Sequence, residues 1–179
     1  MTSINSLASL LDSLDHCEPQ DYVKIVSRMQ LPKEDFDRFS FWKPDGYTRN
    51  CIKRTQEYEL VLICWNPGDI TSVHGHNQQR CWVYQVDGAI SEQRFEMGEQ
   101  GQLKESQYLE LTSGELSYMN DKMGYHALEN RSQARARSLH LYISPIDSCQ
   151  VFDDSNSQFN TKQLEYDSYD GVLLDRIVS

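Results

Sequence analysis

Histidine is scarce in this chain of 179 residues, and two of the five histidines, His74 and His76, are separated by a single residue. Side chains at positions i and i+2 of a β-strand point to the same face, so both imidazoles could bind one metal ion inside a barrel. Two histidines in a surface turn would have the same spacing, and short motifs often match by chance. The pair alone leaves both interpretations open.

The residues around the pair favour a metal site. Gly68 lies six residues before His74, Cys81 lies five residues after His76, and Gly88 follows at the end of the segment. This spacing resembles the first motif of the cupin family, in which most members have a glutamate where this chain has Cys81. The resemblance makes a metal-binding barrel a better interpretation than a surface turn.

A third histidine could complete the site. His126 and Asn130 match the end of the second cupin motif, although Asp121 and Met123 replace its proline and glycine. Three imidazoles would leave the charge of a divalent metal uncompensated by the protein, with open positions for anionic substrate groups and for dioxygen. Imidazole suits zinc, copper and nickel as well as iron, so the ligand type alone does not select the metal.

A second group of polar residues follows near the carboxyl end. Ser138, His140 and Tyr142 alternate with Leu139 and Leu141, so the three polar side chains share one face of a predicted strand. That face would ordinarily meet water, but a barrel with a metal inside needs polar residues in its interior. We expect the face to point inward, where a histidine could orient the tyrosine hydroxyl toward the metal.

A possible anion-binding residue lies before the histidine pair. Tyr47 and Arg49 share a face at the start of a predicted strand. The planar guanidinium group binds a carboxylate through two parallel hydrogen bonds. A solvated arginine is the commoner case in general.

The elements that must position these residues change type along the chain. Residues 1–45 show the three-to-four spacing of apolar residues that is typical of helices, first from Ile4 to Leu14, then after Pro19 and again from Pro32. From residue 46 to residue 152 the pattern is that of short strands separated by turns. We expect a mainly β, cupin-type barrel or jelly roll of antiparallel strands with two to three N-terminal helices.

Several local assignments follow from this pattern. Residues 59–65 form a buried strand, and Asp87-Gly88 predicts a hairpin turn between strands at 81–86 and 89–95. Residues 97–106 are a predicted polar loop, and 153–160 a predicted surface loop. With no linker or internal repeat visible, we expect one domain over residues 1–179, with a C-terminal loop and strand from residue 153.

Composition limits the classes of partner. The net charge of −10 disfavours nucleic acid and anionic membranes, which require a basic surface. No segment has the roughly 20 apolar residues of a membrane-spanning helix, and Asp12 and Asp15 interrupt any signal-peptide pattern. Five cysteines without CxxC spacing indicate reduced thiols. We expect a cytoplasmic monomer.

Together these motifs resemble the cysteine dioxygenase family, over most of the chain from about the first helix to Cys149. Their order and spacing are highly specific. The residues that carry the resemblance are Tyr47-Thr48-Arg49-Asn50, Cys64-Trp65, Ser72 to His76 with Cys81, Gly124-Tyr125-His126 with Glu129-Asn130, Ser138 to Tyr142, Asp147 and Cys149.

The resemblance implies one Fe(II) per subunit on His74, His76 and His126. It implies oxidation of L-cysteine by O2 to cysteine sulfinic acid, the first step of cysteine catabolism toward taurine and sulfate. The substrate would bind the metal through thiolate and amine. The implied roles of the remaining residues are carboxylate binding by Arg49 with Tyr47, orientation of Tyr142 by His140, a thioether crosslink between Cys81 and Tyr142, support from Ser138, and a place near the pocket mouth for Cys149.

Two departures and two alternatives accompany the resemblance. Gly75 replaces a residue that is often acidic in the family, and Ile143-Ser144-Pro145 lacks the first proline of the Ser-Pro-Pro found in many members. Relatives that oxidise 3-mercaptopropionate have glutamine in place of Arg49, and cysteamine would not require an arginine. A metal-binding cupin without catalysis is the alternative from another class.

Overall fold

The computed structural model describes residues 2–99 and 101–175. Its α-helices are α1 (Leu7–Asp15) and α2 (Tyr22–Val26), and 3-10 helices span Pro19–Asp21, Lys33–Phe39 and Asp121–Met123. The strands are β1 (Thr48–Arg54), β2 (Tyr58–Trp65), β3 (Arg80–Asp87), β4 (Ala89–Met97), β5 (Leu103–Thr112), β6 (Leu116–Met119), β7 (Tyr125–Glu129), β8 (Ala136–Ile143), β9 (Ser148–Asp153), β10 (Gln158–Gln163), β11 (Ser168–Tyr169) and β12 (Val172–Leu173).

The N-terminal helices form as the apolar spacing predicts. The Ser6 hydroxyl accepts a hydrogen bond from the backbone N–H of Ser9 and so caps α1. Leu7, Leu10 and Leu14 lie on one face of this helix and are buried. No helix in the described part of the chain is long and apolar enough to cross a membrane.

The strands of the described residues form three sheets. The largest has seven strands in the order β12-β11-β1-β2-β8-β3-β6, the second is β5-β4-β7, and the third pairs β10 with β9. Neighbouring strands are antiparallel except for β1 and β11. The predicted mainly β, cupin-type jelly roll is confirmed, with short helices at its N-terminal end.

Strand β2 shows why the core has two parts. All eight of its residues are buried. Leu60 and Leu62 pack with the helices, whereas Val61 and Ile63 belong to a cluster that includes residues from all three sheets. Alternate residues of one strand therefore contribute to two cores, and each buried aliphatic side chain stabilises the fold by roughly 1.5–3 kcal/mol.

The predicted hairpin at Asp87-Gly88 is wrong. Strand β3 pairs with β6 and β8, whereas β4 pairs with β5 and β7, so the chain passes from one sheet to another at this point. Gly88 has a positive φ of 68°, and a Cβ atom there would lie 2.8 Å from the Cβ of Ala136. Glycine is needed because β8 passes so close to the backbone.

Two predicted loops are shorter in the structure. Strand β4 extends to Met97 and β5 begins at Leu103, so the polar loop is only part of residues 97–106, with residue 100 outside the described residues. Strands β9 and β10 likewise extend into 153–160 and leave a short turn. The end of the predicted C-terminal segment, 176–179, also lies outside the described residues.

No peptide bond in the described chain is cis, and Ser144 has a φ of 56°.

Candidate metal centre

Backbone pairing brings the three predicted ligands together. The N–H of His74 donates to the carbonyl of His126 at 2.9 Å, and the reverse bond measures 3.0 Å. His76 follows in the connection from β2 to β3, and His126 lies in β7. One potential ligand atom from each of the three side chains lies within 4.8 Å of the other two. Residues 50 positions apart in the sequence thus form one cluster that could hold a metal ion.

Hydrogen bonds to the imidazoles orient two of them. Nδ1 of His74 lies 2.9 Å from the carbonyl oxygen of Ser72, and Nδ1 of His126 lies 3.0 Å from Oε1 of Glu92. Both acceptors require the proton on Nδ1, which leaves Nε2 of each ring free to bind a metal.

The remaining ring nitrogens fit a metal site. Both nitrogens of His76 and Nε2 of His126 are buried and have no hydrogen-bond partner within the described residues. An unpaired buried polar atom is costly, and a metal ion would satisfy Nε2 of His126 and one of the two nitrogens of His76.

The cluster also favours uncharged imidazoles. Burial, followed by the neighbouring His126, lowers the pKa of His74 to about 3. Burial, followed by His126 and His74, lowers the pKa of His76 well below its ordinary value. Neutral imidazole is the form that binds metals, so no proton has to leave these two rings at neutral pH.

Behind His126 lies a buried ionic network that the sequence patterns did not reveal. Glu92 and Arg94 of β4 share a face with His126, and Nε of Arg94 lies 2.9 Å from Oε1 of Glu92. The hydroxyl of Ser117 donates to the other oxygen of Glu92. Burial raises the pKa of Glu92, but hydrogen bonds from His126, Arg94 and Ser117 outweigh burial and lower the pKa to about 2. The available signal was a charged residue on the same strand face as the apolar Ile90.

Replacing Glu92 by glutamine should weaken metal binding by 10- to 100-fold, the usual effect of losing the carboxylate partner of a metal-bound histidine. Glutamine keeps the side-chain shape but removes the charge that favours the Nδ1–H form of His126. Competition between the protein and a metal chelator measures the affinity. Glu96→Gln, an exposed change on the same strand, is the matched control. Equal affinities of the two variants would contradict the prediction.

The loop that carries His76 is fixed by Asp121. Its carboxylate accepts hydrogen bonds from the backbone N–H of His76, at 2.7 Å, and from that of Gln78, at 2.5 Å. Asn77 and Gln78 both have positive φ angles, of 50° and 68°, which side-chain-bearing residues rarely adopt. In the sequence, Asp121 was only a mismatch to a cupin motif, yet it fixes this strained loop.

Most of the other predicted site residues lie around one cavity beside the histidines. The prediction that this face of β8 points inward agrees with the cavity, since His140 and Tyr142 line it and Ser138 is buried beside His140. Cys81 and Ser138 are buried on adjacent strands of the same wall. The predicted residues that line the cavity are Tyr47, Arg49, His74, His76, His140, Tyr142 and Cys149.

Cys81 and Tyr142 are direct cross-strand neighbours. They are paired residues in the register of β3 with β8, so their side chains share one face. Burial, followed by Glu92, raises the pKa of the Cys81 thiol. Burial, followed by Cys81, raises the pKa of Tyr142 well above its ordinary value. Both groups are therefore neutral at pH 7.

His140 contacts Tyr142 through its ring. The two rings stack with centroids 6.2 Å apart, and Nε2 of His140 lies 2.8 Å from the hydroxyl of Ser138. That hydroxyl also accepts a hydrogen bond of 2.9 Å from Trp65 Nε1. The serine and tryptophan fix the histidine, and the histidine packs against the tyrosine.

Arg49 presents a buried positive charge to the cavity. Its side chain is only 11% exposed, and its Nη2 lies 3.5 Å from Oε1 of Glu59. Nε and Nη2 have no hydrogen-bond partner in the described chain. Burial lowers the pKa of Arg49, but Tyr142 and Glu59 outweigh burial and keep the group charged. Tyr47, whose ring centroid lies 5.1 Å from that of Trp65, lines the same cavity.

All five cysteines are free thiols. Cys149 is buried and lines the cavity, and burial raises the pKa of its thiol.

Comparison with known proteins relates this site to one family. The sequence model of the family described as cysteine dioxygenase type I matches residues 2–155. The chain is 28% identical to cysteine dioxygenase type 1 of Danio rerio over 168 residues, covering 91% of this chain and 83% of that protein. It is 30% identical to cysteine dioxygenase type 1 of Homo sapiens over 163 residues, covering 88% of this chain and 81% of that protein.

A solved structure of low sequence identity supports the fold alone. It is a conserved protein with a double-stranded β-helix domain from Klebsiella pneumoniae, with a TM-score of 0.51 and 12% sequence identity. The alignment covers 72% of this chain and 88% of that chain.

Proposed function

This chain belongs to the cysteine dioxygenase type I family, and from that premise we propose that it oxidises L-cysteine with O2 to cysteine sulfinic acid. The two atoms of dioxygen end on the substrate sulfur. The reaction would be the first step of cysteine catabolism toward taurine and sulfate, carried out by a cytoplasmic monomer.

One observation carries the proposal: His74 and His76 of the three-histidine cluster line the same cavity as the buried side chain of Arg49. A metal site alone would serve many cupin functions. A buried cation with unsatisfied donors beside it supports a substrate that has a carboxylate at a short distance from its metal-binding group.

Some residues of the site would bind the metal, and others would bind the substrate. Fe(II) held by His74, His76 and His126 would supply the redox chemistry that joins dioxygen to sulfur. Arg49, assisted by Tyr47, would bind the carboxylate and so orient the thiol and amine toward the metal. The neutral hydroxyl of Tyr142 would donate a hydrogen bond at the reacting end of the substrate.

Other residues of the cavity would exclude water and hold these groups in place. Ile63, Leu128 and Val151 contribute apolar surface to the lining. Ser138 and His140 would restrict the ring of Tyr142 through the contacts described above, and Cys149 would lie beside the bound substrate.

We also propose a thioether crosslink between Cys81 and Tyr142, which the cross-strand register supports. After aerobic turnover with Fe(II) and cysteine, intact-mass spectrometry should show a species lighter by two hydrogens, which pass to dioxygen as the oxidant. The species should be absent from Cys81→Ser and Tyr142→Phe and retained in Cys17→Ser, a change far from the cavity. If the wild-type protein lacks this lighter species, the proposed crosslink between Cys81 and Tyr142 is wrong.

A substrate panel tests the proposed activity. The protein is loaded with Fe(II) without oxygen, and oxygen uptake and sulfinate formation are then measured with cysteine, cysteamine and 3-mercaptopropionate. We expect the highest kcat/KM with cysteine. Oxygen uptake with none of the thiols would refute the activity and favour a non-catalytic cupin, and a strong preference for 3-mercaptopropionate would refute the assignment of cysteine.

A further inference from the structure

A carboxylate is buried beside the arginine that would bind the substrate. Glu59 lies in β2 with no exposed surface. It is paired with Tyr142 in the register of β2 with β8, and Tyr142 is paired with Cys81 of β3. Glu59, Tyr142 and Cys81 therefore form one row across three strands, with their side chains on the cavity side of the sheet.

Each oxygen of Glu59 lies near a different guanidinium group. Oε1 lies 3.5 Å from Nη2 of Arg49, and Oε2 lies 3.3 Å from Nη1 of Arg54. Oε2 also accepts a hydrogen bond of 3.1 Å from the backbone N–H of Ile146. Oε2 is thus well satisfied, whereas Oε1 has no hydrogen-bond partner in the described residues despite its closeness to Arg49.

Arg54 has other partners that hold it in place. Nη1 of Arg54 donates to the hydroxyl of Tyr166 at 2.9 Å, and Nη2 donates to Asp147 at 2.7 Å. Arg54 and the N–H of Ile146 together anchor Glu59. Arg49 is anchored less firmly: its Nε and Nη2 have no hydrogen-bond partner within the described residues, and its polar contacts are the charge interaction with Glu59 and an interaction with the hydroxyl of Tyr142.

The contact between Arg49 and Glu59 is therefore a charge interaction without good hydrogen bonds. Burial raises the pKa of Glu59, and the two guanidinium groups and the Ile146 N–H oppose that effect. The side chain of Arg49 lines the cavity and could bind another carboxylate there, but the negative charge of Glu59 would repel that carboxylate. The affinity of Arg49 for an anion is thus set partly by Glu59.

Resting on the proposed function, we propose that Glu59 is a specificity-determining residue that weakens the hold of Arg49 on the substrate carboxylate. Weaker carboxylate binding by Arg49 would help the product to dissociate. Cysteine sulfinate carries a sulfinate charge besides its carboxylate, so an unopposed buried arginine would bind the product tightly and slow its release.

The test compares thiols with and without a carboxylate. Cysteine and cysteamine are titrated into Fe(II)-loaded protein without oxygen, and heat of binding gives Kd. Glu59→Gln, which keeps the shape but removes the charge, should bind cysteine about tenfold more tightly, with cysteamine changed by less than about twofold. Cysteine sulfinate should inhibit Glu59→Gln at correspondingly lower concentration.

Glu57→Gln is the matched control, since it removes the same charge from an exposed position two residues away. Melting temperatures of both variants verify the fold. Unchanged or weaker cysteine binding by Glu59→Gln would overturn the proposal, and so would an equal gain for cysteamine. A tenfold gain for cysteine in a protein that oxidises no thiol would instead refute the proposed activity alone.

Discussion

His76→Ala should bind no Fe(II) that survives gel filtration and should have no measurable oxygen uptake with cysteine. His76 is buried, and neither of its ring nitrogens has a hydrogen-bond partner in the described residues, so alanine removes a ligand without breaking a hydrogen bond of the ring. Loss of only a ligand's hydrogen-bond partner costs 10- to 100-fold in affinity, so loss of a ligand should cost at least about 100-fold.

Two measurements separate metal loss from misfolding. Iron per chain is measured after desalting, and melting temperature is recorded with and without Fe(II) under nitrogen. A ligand present at 100 times its Kd stabilises a protein by about 2.7 kcal/mol, so Fe(II) should raise the melting temperature of the wild type and not that of His76→Ala. His140→Ala, a buried histidine outside the cluster, should keep its iron. Iron retained by His76→Ala would exclude it as a ligand.

Arg49→Ala should lower kcat/KM for cysteine far more than for cysteamine. Truncating one partner of a buried, hydrogen-bonded charge pair costs about 2–5 kcal/mol, which is roughly 30-fold or more. The substrate would lose the guanidinium and would also face Glu59, which then has only Arg54 as a cationic partner. Cysteamine has no carboxylate, so its kcat/KM should change by less than about threefold.

Steady-state oxygen uptake at saturating Fe(II) gives kcat/KM for each of the two thiols. Cysteamine serves as the internal control for iron loading and folding. Equal losses with the two thiols would mean that Arg49 supports the structure of the cavity and does not recognise the carboxylate. Loss confined to cysteamine would contradict the assignment of the arginine altogether.

Alternation along single strands was enough to predict much of this protein. Ser138, His140 and Tyr142 were predicted to share an inward face of one strand, and His140 and Tyr142 line the cavity with Ser138 buried beside them. The mainly β fold and the N-terminal helices also followed from local periodicity. These properties depend only on which side chains point the same way within one element, and that period is set by the backbone.

Strand partners could not be read in the same way. Asp87-Gly88 has the residues of a hairpin, yet β3 and β4 lie in different sheets because each buries its apolar face against other partners. A two-residue turn signal states only that the backbone can adopt a positive φ. Which strands then pair depends on packing over the whole chain.

The same limit explains which site residues were found. The spacing of His74, His76 and Cys81 within one short segment pointed to a metal site, and the family resemblance added Arg49. Glu59 and Glu92 were missed, because neither lies in a recognisable motif. Glu59 becomes important through its pairing with Tyr142 of β8, and Glu92 through the pairing of β4 with β7.

The sequence by itself thus determined the candidate ligands, the inward polar face and the class of fold, because these follow from residue type and local period. Only the tertiary structure decided which charges accompany them. A buried carboxylate acquires its partners from the register between strands, and that register is a property of the assembled sheets.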